Sequence, residues 1–157
     1  MGAARLVWGM VVPHTPWKAI MDTLSRKERS QRMSLIRNRD TKPELLVRRL
    51  IHRSGYRYRL HRANLPGKPD LVFPAQKKAI FVHGCFWHRH PKCGLARLPK
   101  SRLGFWLPKL TENRRRDLKN LRSLRKLGWA VEVVWECEVG DQSALVQKLH
   151  GFLRDDQ

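Results

Sequence analysis

The stretch "LPGKPDLVFP" sets one carboxylate, Asp70, between a Pro turn and the apolar run Leu71, Val72, Phe73. An acid at the mouth of a buried strand has two explanations. It caps the turn, which is common after Gly and Pro, or its hard oxygen takes a divalent cation such as Mg²⁺. The next apolar run ends in His83, and His88 follows in "HGCFWHRH". Imidazole titrates near neutrality, as a group that activates water or protonates a leaving oxygen must. Asp70, His83 and His88, with Glu44 from "TKPELLVRRL", make a set suited to metal-assisted hydrolysis. Thr41-x-x-Glu44 is also a capping box, so Glu44 has a structural explanation as well.

A second constellation overlaps the first. Cys85-x4-His90-x2-Cys93 brings three metal-type ligands into one loop, and Cys137 follows a later apolar run. A Cys3His set describes a closed tetrahedral zinc site, structural rather than catalytic, that pins the loop to its neighbours. His88 competes with His90 as the nitrogen ligand at this level. The alternative is three ordinary thiols, with Cys137 buried. Three cysteines, an odd number, do not form a disulfide framework, which points to a reducing, cytoplasmic setting.

These residues need elements to hold them. "SRKERSQRMSLIR" reads as a first helix, capped by Ser25 with Glu28 completing a capping box. A second helix starts at Thr41, carries Pro43 in its first turn and an apolar stripe of Leu46, Val47, Leu50 and Ile51, and stops at Gly55. "YRYRLH", "DLVFP" and "KKAIFVH" then read as strands. A long helix follows through Leu118, Leu121 and Leu124 to Gly128, then the strand "WAVEVVWEC" and the amphipathic helix "SALVQKLHGFL". The order predicts an α/β fold, a mixed sheet flanked by helices. Residues 1–22 read as an N-terminal extension that need not be ordered, and residues 23–157 as one domain. The N-terminus lacks the small-residue pattern of a cleaved signal peptide, and Met21 is a plausible alternative start.

Charge narrows the partner. The 157 residues hold 33 Lys and Arg against 13 acids, a formal net charge of +20. From Lys92 to Lys126 there are twelve basic residues and two acids, Glu112 and Asp117. This is the composition of a chain that lies along phosphates and binds less tightly as salt rises. No apolar run approaches membrane-spanning length. On the long helix Lys109, Asn113 and Asp117 are four apart, placing them on one face that could reach base edges or phosphates.

"LPGKPDLVF", "AIFVHGCFWHRHPKC", "FWLPKLTENRRRD" and "VVWEC", in this order and spacing, closely resemble the very short patch repair (Vsr-type) DNA mismatch endonucleases. The resemblance runs from about Ser25 to the last helix. It implies a restriction-endonuclease-like α/β fold with a structural zinc site, and nicking 5′ of the T in T·G mismatches left by deaminated 5-methylcytosine. It further implies Asp70 and the main-chain carbonyl of Val82 as Mg²⁺ ligands, His83 and His88 as active-site histidines, and Glu44 near the metal-water network. Cys85, His90, Cys93 and Cys137 match the zinc ligands. Phe86, Trp87 and Trp106 match rings that wedge into the base stack, Lys109 and Asn113 match residues that read the mismatched pair, and Met33 matches a minor-groove wedge. The wider restriction-like pattern has a second acid and a lysine where Val82 and His83 stand here. The implied partner is duplex DNA with a T·G mismatch, bound by a monomer. Two other readings fit the residues taken alone: a restriction-like nuclease cutting both strands, and a zinc-stabilised DNA-binding module without catalysis.

Overall fold

The computed structural model describes residues 39–154 together with Ser25, Lys27, Glu28 and Gln31. Residues 1–22, most of the expected first helix, and Met33 lie outside the described residues. At the start of that helix the capping box is present. The Ser25 hydroxyl accepts from the Glu28 amide at 3.3 Å, and Glu28 Oε2 accepts from the Ser25 amide at 2.9 Å.

From residue 39 the chain alternates as its hydrophobic pattern dictates. Helix α1 spans Lys42–Arg53, with Thr41 as N-cap, a proline in the first turn and Ser54 as C-cap. Three strands follow, β1 at Arg59–Leu60, β2 at Leu71–Phe73 and β3 at Lys78–His83. Helix α2 runs over Leu103–Lys126, strand β4 over Ala130–Trp135 and helix α3 over Gln142–Arg154. The sheet order is β1-β2-β3-β4. The first two pairings are antiparallel and β3–β4 is parallel, so the sheet is mixed as expected.

The sheet is covered on both sides. Val47 and Ile51 of α1 and Leu145, Leu149 and Leu153 of α3 pack with Leu71, Phe73, Ile80 and Val134. Leu124 of α2, with Leu65, packs on the other face against Val72 and Phe81. Adjacent residues of a strand point to opposite faces, which is why Leu71 and Val72, or Ile80 and Phe81, serve different cores. Strands buried on both faces read as continuous apolar runs, as "DLVF" and "AIFV" do. Complete burial of such a side chain contributes about 1.5–3 kcal/mol.

The run "YRYRLH" suggested a longer strand than the two residues observed. Arg59 and Leu60 are both exposed on the sheet edge, and His61 turns the chain away with a left-handed φ of 44°. An edge strand that buries nothing has little to extend it beyond its hydrogen bonds.

The register places the chemistry. Parallel pairing sets His83 opposite Trp135. The loop after β3 and the turn after β4 therefore leave the sheet side by side, carrying Cys85 to Cys93 and Cys137.

Candidate active site

Asp70 lies at the entrance of β2, and its Oδ2 accepts a hydrogen bond of 2.7 Å from the Val82 amide on β3. The antiparallel register, Leu71 opposite Ile80, brings the carboxylate to the far end of the neighbouring strand. Burial pushes its pKa up to about 6; the Val82 bond pulls it down, Glu44 raises it, and Arg48 and His88 lower it. Asp70 thus sits within electrostatic reach of the helix α1 pair and of His88.

Glu44 is 5% exposed. Its Oε1 accepts from the Thr41 hydroxyl at 2.8 Å and its Oε2 from the Asp40 amide at 2.9 Å and from Arg48 Nη2 at 3.2 Å. The capping function is therefore real, and the same carboxylate acts on Asp70.

His83 is buried, and the His83 and His88 rings stack with centroids 3.9 Å apart at an interplanar angle of 7°. Burial, with His88 alongside, pushes the His83 pKa down to about 3, so its ring is neutral at physiological pH. His88 Nδ1 meets Asp117 Oδ2 at 2.5 Å. Asp117 appeared in the sequence only as part of a polar helix face. Its link to His88 spans 29 positions and depends on how α2 lies over the sheet.

The second cluster contains Cys85, His90, Cys93 and Cys137, whose ligand atoms all lie within 4.8 Å of one another. The choice between His88 and His90 falls to His90 in geometry: its Nδ1 is 3.3 Å from Cys137 Sγ and 3.6 Å from Cys85 Sγ. Two ligands of a tetrahedral zinc, at about 2.3 and 2.0 Å from the ion, stand roughly 3.5 Å apart, so the donor set fits such an ion. Burial pushes the Cys85 thiol up to about 12. A thiolate at that position therefore needs a cation beside it. Trp135 stacks on His90 at 4.1 Å and meets His83 edge-on at 5.4 Å, a bridge between the clusters that the sequence did not reveal.

The aromatic residues gather beside these clusters. Phe86, Trp87 and Trp106 are mutually in contact at centroid distances of 5.1–5.9 Å. Trp106 is only 8% exposed, whereas Phe105 next to it is 49% exposed. Lys109 Nζ lies 5.9 Å from the Trp87 ring centroid and 5.4 Å from that of Phe105. Asn113 donates through Nδ2 to the Trp87 carbonyl at 3.3 Å, which ties the ring-bearing loop to α2. No helix among the described residues is long and apolar enough to cross a membrane.

A carboxylate and a histidine pair beside a cluster of half-buried rings and a basic helix are groups suited to hydrolysis of a nucleic acid. Comparison with known proteins makes the class specific. Residues 21–94 match the family described as DNA mismatch endonuclease Vsr. The chain is 49% identical over 132 residues to the type II nicking enzyme V.XorIIP of Xanthomonas oryzae pv. oryzae, covering 84% of this chain and 96% of that protein. It is 41% identical over 134 residues to V.NmeAIP of Neisseria meningitidis, covering 85% and 95%. To the DNA mismatch endonuclease Vsr of Escherichia coli it is 39% identical over 127 residues, covering 81% of each chain. The chain belongs to the Vsr family of DNA mismatch endonucleases. It is a hydrolase that acts on DNA.

Proposed function

We propose that this endonuclease is Mg²⁺-dependent and strand-specific, nicking duplex DNA 5′ of the T in T·G mismatches formed when 5-methylcytosine deaminates, and so initiating very short patch repair. The observation that carries this reading is the meeting of Asp70 with the Val82 main chain beside the stacked His83–His88 pair. Asp70 and the Val82 carbonyl would hold Mg²⁺, with Glu44 at the edge of the set. When bound, the cation would offset phosphate charge and acidify water. The donor chemistry suits it: a carboxylate whose proton affinity is raised to about 6 by burial is one whose charge lacks compensation.

The protein's own groups do the rest. Asp117 fixes the His88 ring through Nδ1, leaving proton exchange to Nε2. Neutral His83 supports that ring by stacking and helps to position the phosphate. Hydrolysis leaves a 5′-phosphate on the T. Phe86, Trp87 and Trp106 wedge the base stack, which costs less at a mismatch than at a matched pair. Lys109 and Asn113 contact the mismatched pair, and Met33 the minor groove. The Cys3His cluster takes a structural Zn²⁺. The enzyme works as a monomer in the cytoplasm, on the nucleoid. Two relatives are named as nicking enzymes, which supports a cut in one strand.

The test is a labelled duplex with one central T·G pair in several flanking contexts, run beside its T·A control with Mg²⁺ or EDTA. A Mg²⁺-dependent cut immediately 5′ of the T and absent from T·A is expected. Equal cutting of T·A, cutting in EDTA, or cleavage of both strands would sink the reading.

A further inference from the structure

The rings of His83 and His88 are held in different ways. Asp117 grips His88 through Nδ1. Among the described residues no hydrogen bond reaches the His83 ring; three other rings surround it, with centroids at 5.6 Å for Phe81, 3.9 Å for His88 and 5.4 Å for Trp135. The terminal torsion of a histidine is soft, so a ring held in this way turns unless its neighbours stop it. Phe81 lies two residues back on the same face of β3, and His88 covers one face of the imidazole. Trp135 is the ring that meets it from the neighbouring strand, edge-on at 73°.

Trp135 is itself fixed from several sides. The parallel register sets it opposite His83. Its indole stacks on His90 at 4.1 Å with an interplanar angle of 7°. Its amide donates to Glu138 Oε2 at 2.6 Å, and Glu138 Oε1 in turn accepts from Lys148 Nζ of α3 at 2.8 Å. The next residue, Glu136, accepts through Oε2 from the Cys85 amide at 3.2 Å, two positions beyond His83. The end of β4, the loop after β3 and helix α3 thus converge on one half-buried indole.

We propose that Trp135 is a positioning residue for DNA cleavage: backed by the His90 ring, it presents an edge that stops His83 from turning out of its stack with His88. Trp135 thereby does for His83 what the Asp117 carboxylate does for His88. The inference rests on the reading of His83 as an active-site histidine.

The experiment combines single-turnover nicking of a duplex that the wild type cuts, binding of the same duplex, and the histidine ring NMR signals of the DNA-free protein labelled with ¹³C-histidine. Trp135→Leu removes the edge contact and keeps an apolar side chain. Expected are nicking about tenfold to a hundredfold slower, as small misplacements of a reacting group produce, and displaced His83 ring signals. Duplex binding should stay within a factor of about two of wild type, because the loss falls on turnover and not on affinity. Trp135→Phe keeps a ring on His90, so nicking falls less than in Trp135→Leu.

An indole that only fills space leaves the His83 signals unmoved and the folded variant as fast as wild type. Either result in Trp135→Leu, or a loss of duplex binding in place of turnover, overturns the inference. If Trp135→Leu does not fold, Trp135→Phe decides: slower nicking together with displaced His83 signals upholds the inference, and any other result overturns it. His83→Ala runs in parallel. Wild-type nicking by that variant means that the reading of His83 fails, whereas an inactive His83→Ala beside a fully active Trp135→Leu refutes the role of Trp135 alone.

Discussion

Replacing Asp70 by Asn should make the protein more stable and inactive, and the size of the gain follows from the site. Burial lifts the carboxyl from an ordinary 3.8 to about 6 in the folded protein. The stabilisation associated with a raised carboxyl pKa is fully present below 3.8 and is lost as pH rises through about 6. At pH 8 an ionised Asp70 therefore opposes folding by roughly 3 kcal/mol, taking about 1.4 kcal/mol for each tenfold change in proton affinity. An Asn has no charge to bury and its Oδ1 still accepts from the Val82 amide. A neutral acceptor makes a weaker bond than a carboxylate, a loss of about 1 kcal/mol. The net gain is about 1–2 kcal/mol, or roughly 3–6 °C in Tm for a chain of this size. Thermal melts by circular dichroism in EDTA measure it at pH 8 and again at about pH 3, below 3.8, where Asp70 holds its proton in both the folded and the unfolded chain and the advantage should vanish. Mg²⁺ should raise the Tm of the wild type but not of Asp70→Asn. A destabilised Asp70→Asn at pH 8, or a gain independent of pH, would refute the account of Asp70 as a carboxylate strained by burial.

His83 behaves in the opposite sense. Its pKa is depressed to about 3, so its contribution is present above 6.5 and lost as pH falls toward 3. His83→Phe should flatten the loss of stability between those limits in a pH series of urea melts, and a profile identical to wild type would contradict this. Stripping metal with a strong chelator should lower the Tm of the wild type by several degrees. Cys137→Ser should start lower and respond less, with bound zinc measured by elemental analysis; a wild type that purifies with no metal on the Cys3His cluster would count against a zinc staple. Trp87→Ala should cut nicking of a T·G duplex at least about tenfold while shifting Tm by less than about 3 °C, because the ring is only half-buried. Full activity in that variant would remove Trp87 from recognition.

Much of the fold was legible because it is written in local pattern. Helix α1 shows its cap, its first-turn proline and its apolar stripe within one stretch of chain. The runs at Leu71 and Ala79 advertise strands buried on both faces. The edge strand was over-read, since "YRYRLH" has the alternation of a strand but no face to bury. In the site, Asp70 and the cysteines stood out through residue type and spacing. Asp117 and Trp135 did not, because each is an ordinary residue until a partner far along the chain is placed beside it.

Composition and residue chemistry alone determined a basic chain that seeks polyanions, a mixed α/β domain, a carboxylate–histidine set and a Cys3His set. Those features survive without coordinates because charge, hydrophobic period and ligand type are properties of the residues themselves. Only the tertiary structure decided which histidine joins the cysteines and which stacks on His83. Residues 88 and 90 are separated by one position, and the turn of the loop sends one ring toward Asp117 and the other toward Cys137. Such choices depend on direction in space, which the parallel β3–β4 register and the lie of α2 establish and sequence spacing does not.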